Sequence, residues 1–170
     1  MCKIAKRGGL SRQPATKAKS AAGLKHLGKN QAAEVFSKIS KQYDIPKDTW
    51  KGYALLDNGG EIFLCSKDVA LFATRNAFRR AGMHIADKHG NPTQAFALKF
   101  GHLANNNIVQ LSKENADKFL EGLDIQLPEP LTMKDGTTVL VREGNRCLGW
   151  GKSMQNGHRF KNRLDRGTIS

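Results

Sequence analysis

Acidic residues are scarce in this chain: 15 Asp and Glu stand against 28 Lys and Arg in 170 residues, and Met1 to Asn30 holds none. The net charge of +13 implies a polyanionic partner, and a membrane surface meets that description as well as a nucleic acid does. Long apolar runs are absent too. None approaches the roughly 20 residues of a bilayer span, which excludes a spanning helix. The basic N-terminus is not followed by an apolar stretch, so it is not a secretory signal. Cysteine is sparse. Cys2, Cys65 and Cys147 are isolated, odd in number and without CxxC spacing, which argues against a disulfide framework and for a reducing, cytoplasmic setting.

Catalytic signatures are also missing. His84 and His89 are not arranged as HExxH, and His26, His102 and His158 have no cysteine or carboxylate clusters around them, so no metal is expected. No GxSxG, Walker loop or GxGxxG occurs. Cys65 follows Ile62-Phe63-Leu64 and Cys147 falls in an apolar run; both read as buried structural cysteines.

What is present falls into three stretches. Residues 1–29 carry Lys3, Lys6, Arg7, Arg12, Lys17, Lys19, Lys25 and Lys29 among small residues. Such a segment has too little apolar surface to offset the entropy of ordering, and a flexible basic arm is expected. Residues 30–103 read as a small α+β domain. Asn30 is the expected cap of a helix to Tyr43, with Ala33, Phe36 and Ile39 as its stripe and Val35 beside it. Asp44-Ile45-Pro46 stops that helix. Asp57-Asn58-Gly59-Gly60 predicts a hairpin between Trp50–Leu56 and Glu61–Cys65. Ser66 caps a short helix through Phe72, Ala81–Ala86 is a strand, and Asn91-Pro92 opens a helix with Ala95, Phe96 and Leu98 to Phe100 on its apolar side.

The polar run Ala104-Asn105-Asn106-Asn107 is the expected boundary before a third stretch, 104–170. Ile108–Leu111 reads as a strand and Ser112 caps a helix that Gly122 closes. Pro128 and Pro130 mark a loop. Thr138–Val141 and Cys147–Trp150 form a hairpin across Glu143-Gly144-Asn145. Strand, helix and several short strands fit a compact α+β unit resembling a β-barrel. After the hairpin charge takes over, with Lys152, His158, Arg159, Lys161, Arg163 and Arg166 among Gly149, Gly151 and Gly157. Cations on a glycine-rich strand end are a candidate phosphate-binding surface, in which small residues allow close backbone approach; a solvated basic tail is the plainer reading. Trp150 is a candidate stacking residue, with a core role as the alternative, whereas Phe160 is read as core. Arg75, Arg79 and Arg80 form a secondary basic cluster. Arg75 and Arg79 share a helical face only if the preceding helix extends that far.

Leu148-Gly149-Trp150-Gly151-Lys152, followed by His158-Arg159-Phe160-Lys161-Asn162-Arg163-Leu164, resembles the end of RsmF-like proteins, the ribosomal RNA 5-methylcytosine methyltransferases of the bacterial Sun family. Trp150 and Gly151 depart from the family's Leu-Ala, and Asp165 replaces a common proline. The order of elements from about Trp50 onward also resembles the small domain before the PUA-like domain of these enzymes, and Cys2-Lys3-Ile4-Ala5-Lys6 resembles the last strand of their catalytic domain. The resemblance implies two small α+β domains, the second a PUA-like mixed β-barrel at 104–170. It also implies that the chain begins where the enzyme body ends, as a fragment or a detached C-terminal half. The family's cysteines follow threonine or proline, whereas these follow Met1, Leu64 and Arg146. Catalysis and S-adenosylmethionine binding are therefore assigned to a domain outside this chain. The expectation is an RNA-binding, rRNA-recruiting part with ribosomal RNA or the small ribosomal subunit as partner, no membrane, and contacts from Lys152, Arg159, Lys161, Arg163 and Trp150. Two alternatives stay open: the tail of a full methyltransferase, and an interaction module for an acidic protein.

Overall fold

The computed structural model describes residues 23–76, 78 and 80–164. Of the arm expected over 1–29, residues 1–22 lie outside that range, and the remainder belongs to the body. Leu24 is buried, Lys25–His26 (β1) pairs with a neighbouring strand, and the Leu27 N–H donates to the Leu55 carbonyl at 3.0 Å. Chain order continues α1 (Lys29–Tyr43), a 3-10 turn (Lys47–Trp50), β2 (Tyr53–Asn58), β3 (Glu61–Ser66), α2 (Lys67–Arg75), β4 (Met83–Ala86) and α3 (Gln94–Phe100). It then runs β5 (Ile108–Gln110), α4 (Lys113–Leu120), β6 (Ile125–Gln126), β7 (Thr138–Glu143), β8 (Arg146–Met154) and β9 (Arg159–Asn162).

Local signals place most of these elements. The β2–β3 turn has Gly59 and Gly60 at φ 65° and 96°, with the Asp57 carboxylate accepting the Gly60 N–H at 2.6 Å. Ser66 and Ser112 accept the N–H groups of Val69 and Asn115, satisfying donors that their helices leave open. Two caps differ from expectation. Thr93, not Asn91, caps α3 by accepting the Phe96 N–H, and Phe96, Ala97 and Phe100 are the buried positions while Ala95 and Leu98 stay exposed. Helix α1 begins one residue before Asn30 and rotates its stripe to Ala32, Val35, Phe36, Ile39 and Tyr43; Ala33 faces out.

The four strands of the N-terminal half run in the order β1-β2-β3-β4, all antiparallel. Against them packs an aromatic chain in which Phe36 stacks on Trp50 at 5.2 Å, Trp50 meets Phe100 edge-on at 5.1 Å, and Phe96 links Phe100 to Tyr43. The Trp50 indole N–H is satisfied by the Ser40 hydroxyl at 2.8 Å.

The C-terminal sheet has the order β5-β7-β8-β9-β6, with β5 parallel to β7 and the other pairs antiparallel. Its two edge strands do not pair with each other, so the sheet is open and curled rather than closed into a barrel. Val139, Val141, Leu148 and Phe160 on one face pack with Phe119 of α4 and with Ile125. On the other face Leu140 and Cys147 join the same core as Tyr43, Phe96 and Phe100. The run expected to be the domain boundary is held by hydrogen bonds to the end of α1. The N–H groups of Asn105 and Asn106 both donate to the Tyr43 carbonyl, and the Asn107 side-chain amide donates to the Gln42 carbonyl at 2.7 Å.

Burial, with the Cys147 thiol close by, pushes the Tyr43 hydroxyl well above the ordinary tyrosine range, against a small opposing effect of its hydrogen bond from Gln42. A raised folded-state pKa means stability that is full below the unfolded value near 10 and is lost as pH climbs above it. Relative to a Tyr43→Phe variant, the protein is expected to lose about 1.4 kcal/mol more at one pH unit above that value. Urea unfolding of both proteins at about pH 9 and about pH 11 reads the difference. Parallel losses in the two would show that Tyr43 ionises freely in the fold.

Candidate nucleic-acid interface

Alternation along a strand decides which cations of β8 and β9 can act together. Pairing sets Thr138 opposite Lys152 and Lys152 opposite Lys161, so one row of three neighbours crosses β7, β8 and β9 on the face turned away from α4. A second row pairs Leu140 with Trp150, and the Arg163 N–H extends it by donating to the Trp150 carbonyl at 3.2 Å. A third holds Met154, Arg159 and Gln126. The five predicted contact residues therefore share one face. Four of them lie on strands instead of a tail, because β8 runs to Met154 and β9 covers Arg159–Asn162, and Arg163 directly follows β9.

Lys152 and Lys161 are the sharpest feature of this face. Residues directly opposite in an antiparallel pair hold their Cβ atoms ~5 Å apart, and like charges there destabilise the sheet. Neither lysine forms an ion pair among the described residues. An anion seated between them would remove the repulsion. Lys161 and Arg163 are exposed and Lys152 is half-buried.

Three expectations need correction. First, Arg159 is not a free cation: its guanidinium donates to the Asp124 carboxylate at 2.7 Å, and the other carboxylate oxygen accepts the Asn162 N–H at 2.9 Å. Asp124 lies 35 residues upstream, and no local spacing marks it as the partner. Second, the glycines do not open the surface to phosphate. All three are buried. A Cβ on Gly151 would meet the Phe160 ring at 3.0 Å and the Lys161 carbonyl at 2.7 Å, and one on Gly149 would meet the Gln94 side chain at 2.7 Å. They admit neighbours from within the fold. Third, Trp150 is half-buried against the core shared with the N-terminal half, so only part of its ring borders the basic face.

The secondary cluster is looser than one helix face. Helix α2 ends at Arg75, with Asn76 as its cap. Arg75 and Arg80 are exposed, and Arg79 lies outside the described residues, as does Arg166 of the basic tail. Sequence reading overlooked the solvent-facing rings of Phe72 and Phe78 beside these arginines.

No group of three or more His, Cys, Asp or Glu among the described residues is placed to hold a metal, and none of their helices is long and apolar enough to cross a membrane. Burial raises both described cysteine thiols, Cys65 and Cys147, above the ordinary range, which disfavours the reactive thiolate. No curated protein matches the chain. The sequence pattern of the methyltransferase RsmF PUA domain matches residues 106–169, a span that takes in the open sheet, helix α4 and the whole basic face. That match reaches no catalytic methyltransferase domain. Over residues 106–169, then, this chain is similar to the PUA domain of the methyltransferase RsmF.

Proposed function

We propose that the chain is an RNA-binding accessory part that recruits ribosomal RNA, with Lys152, Lys161 and Arg163 gripping the phosphate backbone. Residues 30–103 serve as the small α+β domain that supports the PUA domain of 104–170, whose open, curled sheet presents the RNA surface. The observation that carries the reading is the Lys152–Lys161 row, without an ion pair among the described residues, on the sheet face turned away from α4. Two cations on adjacent strands are held at a spacing that suits successive backbone charges, without direct base readout. Trp150 borders the grip, and Arg159, neutralised by Asp124, shapes its edge. Methyl transfer to cytosine, with S-adenosylmethionine as donor, belongs in this reading to a catalytic domain outside the sequence.

Charge reversal tests the face. In the full chain, Lys152→Glu with Lys161→Glu is expected to weaken small-subunit ribosomal RNA binding at least about tenfold, or ~1.4 kcal/mol. The dependence of log affinity on log salt should flatten by about one unit or less per lost phosphate contact. Lys41→Glu with Lys113→Glu changes net charge equally, from exposed positions on α1 and α4. Equal losses in the two double variants would leave only diffuse attraction by a +13 chain.

A further inference from the structure

Helix α2 turns small residues inward and large ones outward. Ala70 and Ala73 are buried against the β2–β3 sheet, while Val69, Leu71 and Phe72 face solvent, Phe72 with 61 % of its surface exposed. Phe78 follows, 44 % exposed, its ring centroid 5.7 Å from that of Phe72 and the planes 37° apart. Main-chain bonds fix this second ring: the Phe78 N–H donates to the Ala73 carbonyl at 3.2 Å, and its carbonyl accepts the Leu24 N–H at 3.4 Å. An exposed pair of aromatic rings, one on a helix and the other held to that helix by a main-chain bond, marks a contact surface.

The surroundings say what it contacts. Lys67, Arg75 and Arg80, close to the two phenylalanines in sequence, are exposed, none is ion-paired among the described residues, and Asp68 is the single acid of residues 67–80. Residues 1–22 are a poor occupant, since they carry six cations and no acid and would meet like charge. An anion with flat apolar faces satisfies both the rings and the arginines. Bases in a duplex hide their faces in the stack, whereas unpaired bases offer them. We propose that Phe72 and Phe78, flanked by Arg75 and Arg80, form a stacking platform for unpaired RNA bases, separate from the lysine row of the C-terminal sheet. The proposal rests on the RNA-binding reading above but on none of its residues.

The probes are a single-stranded uridine dodecamer and a blunt RNA duplex of the same length, each titrated against the full chain. Phe72→Ala is expected to weaken the single strand about fivefold or more, at the lower end of what one stacked base contributes. Phe72→Leu, which keeps an apolar side chain but loses the π-face, should do the same, and Phe72→Trp should restore binding. Duplex affinity should stay within about twofold in all three variants, by the same stacking logic. The exposed position makes folding of each variant straightforward to confirm by its unfolding midpoint. Unchanged single-strand binding in Phe72→Ala would overturn the platform. So would full retention in Phe72→Leu, which would identify an aliphatic contact suited to a protein, or an equal loss on the duplex. Because Lys152→Glu with Lys161→Glu is read on the same two probes, loss of the lysine row and loss of the platform are told apart.

Discussion

Arg142→Met is expected to lower folding stability by about 3 kcal/mol, the scale of losing hydrogen bonds from a charged donor to buried carbonyls. The Arg142 guanidinium comes off β7 and reaches the end of α3. Its Nε donates to the Gly101 carbonyl at 2.9 Å, and one terminal nitrogen donates both to that carbonyl and to Ala104 at 2.6 Å. Gly101 and Ala104 are buried, so no water replaces the lost donors. Methionine keeps most of the volume and isolates the polar loss from a packing loss. In a chain of this size the change lowers the unfolding midpoint by about 6–12 °C. Arg142→Lys keeps the charge but not the fork, and should recover less than half. A midpoint within about 1 °C of the parent, a change of no more than ~0.5 kcal/mol, would show that the guanidinium does not join the two halves.

Gly157→Ala should cost a similar amount, about 3 kcal/mol, by a different route. The backbone of Gly157 sits at φ +87°, where an L side chain is strained by ~1–3 kcal/mol. Its Cβ would also lie 2.2 Å from the Leu131 carbonyl oxygen and 2.7 Å from the Leu131 nitrogen. These are backbone atoms and cannot swing aside as a side chain end would. The Gly157 carbonyl accepts the Leu131 N–H at 3.0 Å, so relief of the clash breaks that bond and lifts the 127–136 loop off the β8–β9 turn. Gly144→Ala is the comparison: φ is positive there too, at +55°, but open space surrounds it, so only the conformational cost of about 1 kcal/mol remains. Urea unfolding of the pair reads the gap. Equal costs would mean that the loop gives way freely at Leu131.

Sequence reading found what is written over short distances. Asp57-Asn58-Gly59-Gly60 forms the turn it spells, and Ser66 and Ser112 cap the helices that follow them, because donor and acceptor lie within three residues. The basic residues of β8 and β9 were visible as a cluster, and strand alternation gathers them on one face. Roles decided across the fold were not visible. Asp124 silences Arg159 from 35 positions away. Gly149 and Gly151, which flank Trp150 just before Lys152 and suggest an open surface, instead make room for Gln94 and Phe160. The α1 stripe shifts by one residue because Leu140 and the other members of its core, supplied by distant segments, select the side it presents. In each case the deciding partner is set by tertiary packing, which residue spacing does not encode.

Strands β5 and β6 are neighbours in the chain, joined by α4, yet they form the opposite rims of the C-terminal sheet. On a ribosome, both rims therefore emerge before any of the strands that lie between them. They have nothing to pair with until β7, β8 and β9 follow, and the N-terminal half likewise waits for Leu140 and Cys147 to complete its core. Synthesis of this protein thus delays the C-terminal sheet until almost the last residue of β9 has been made, and completes the shared core only once Leu140 and Cys147 are supplied.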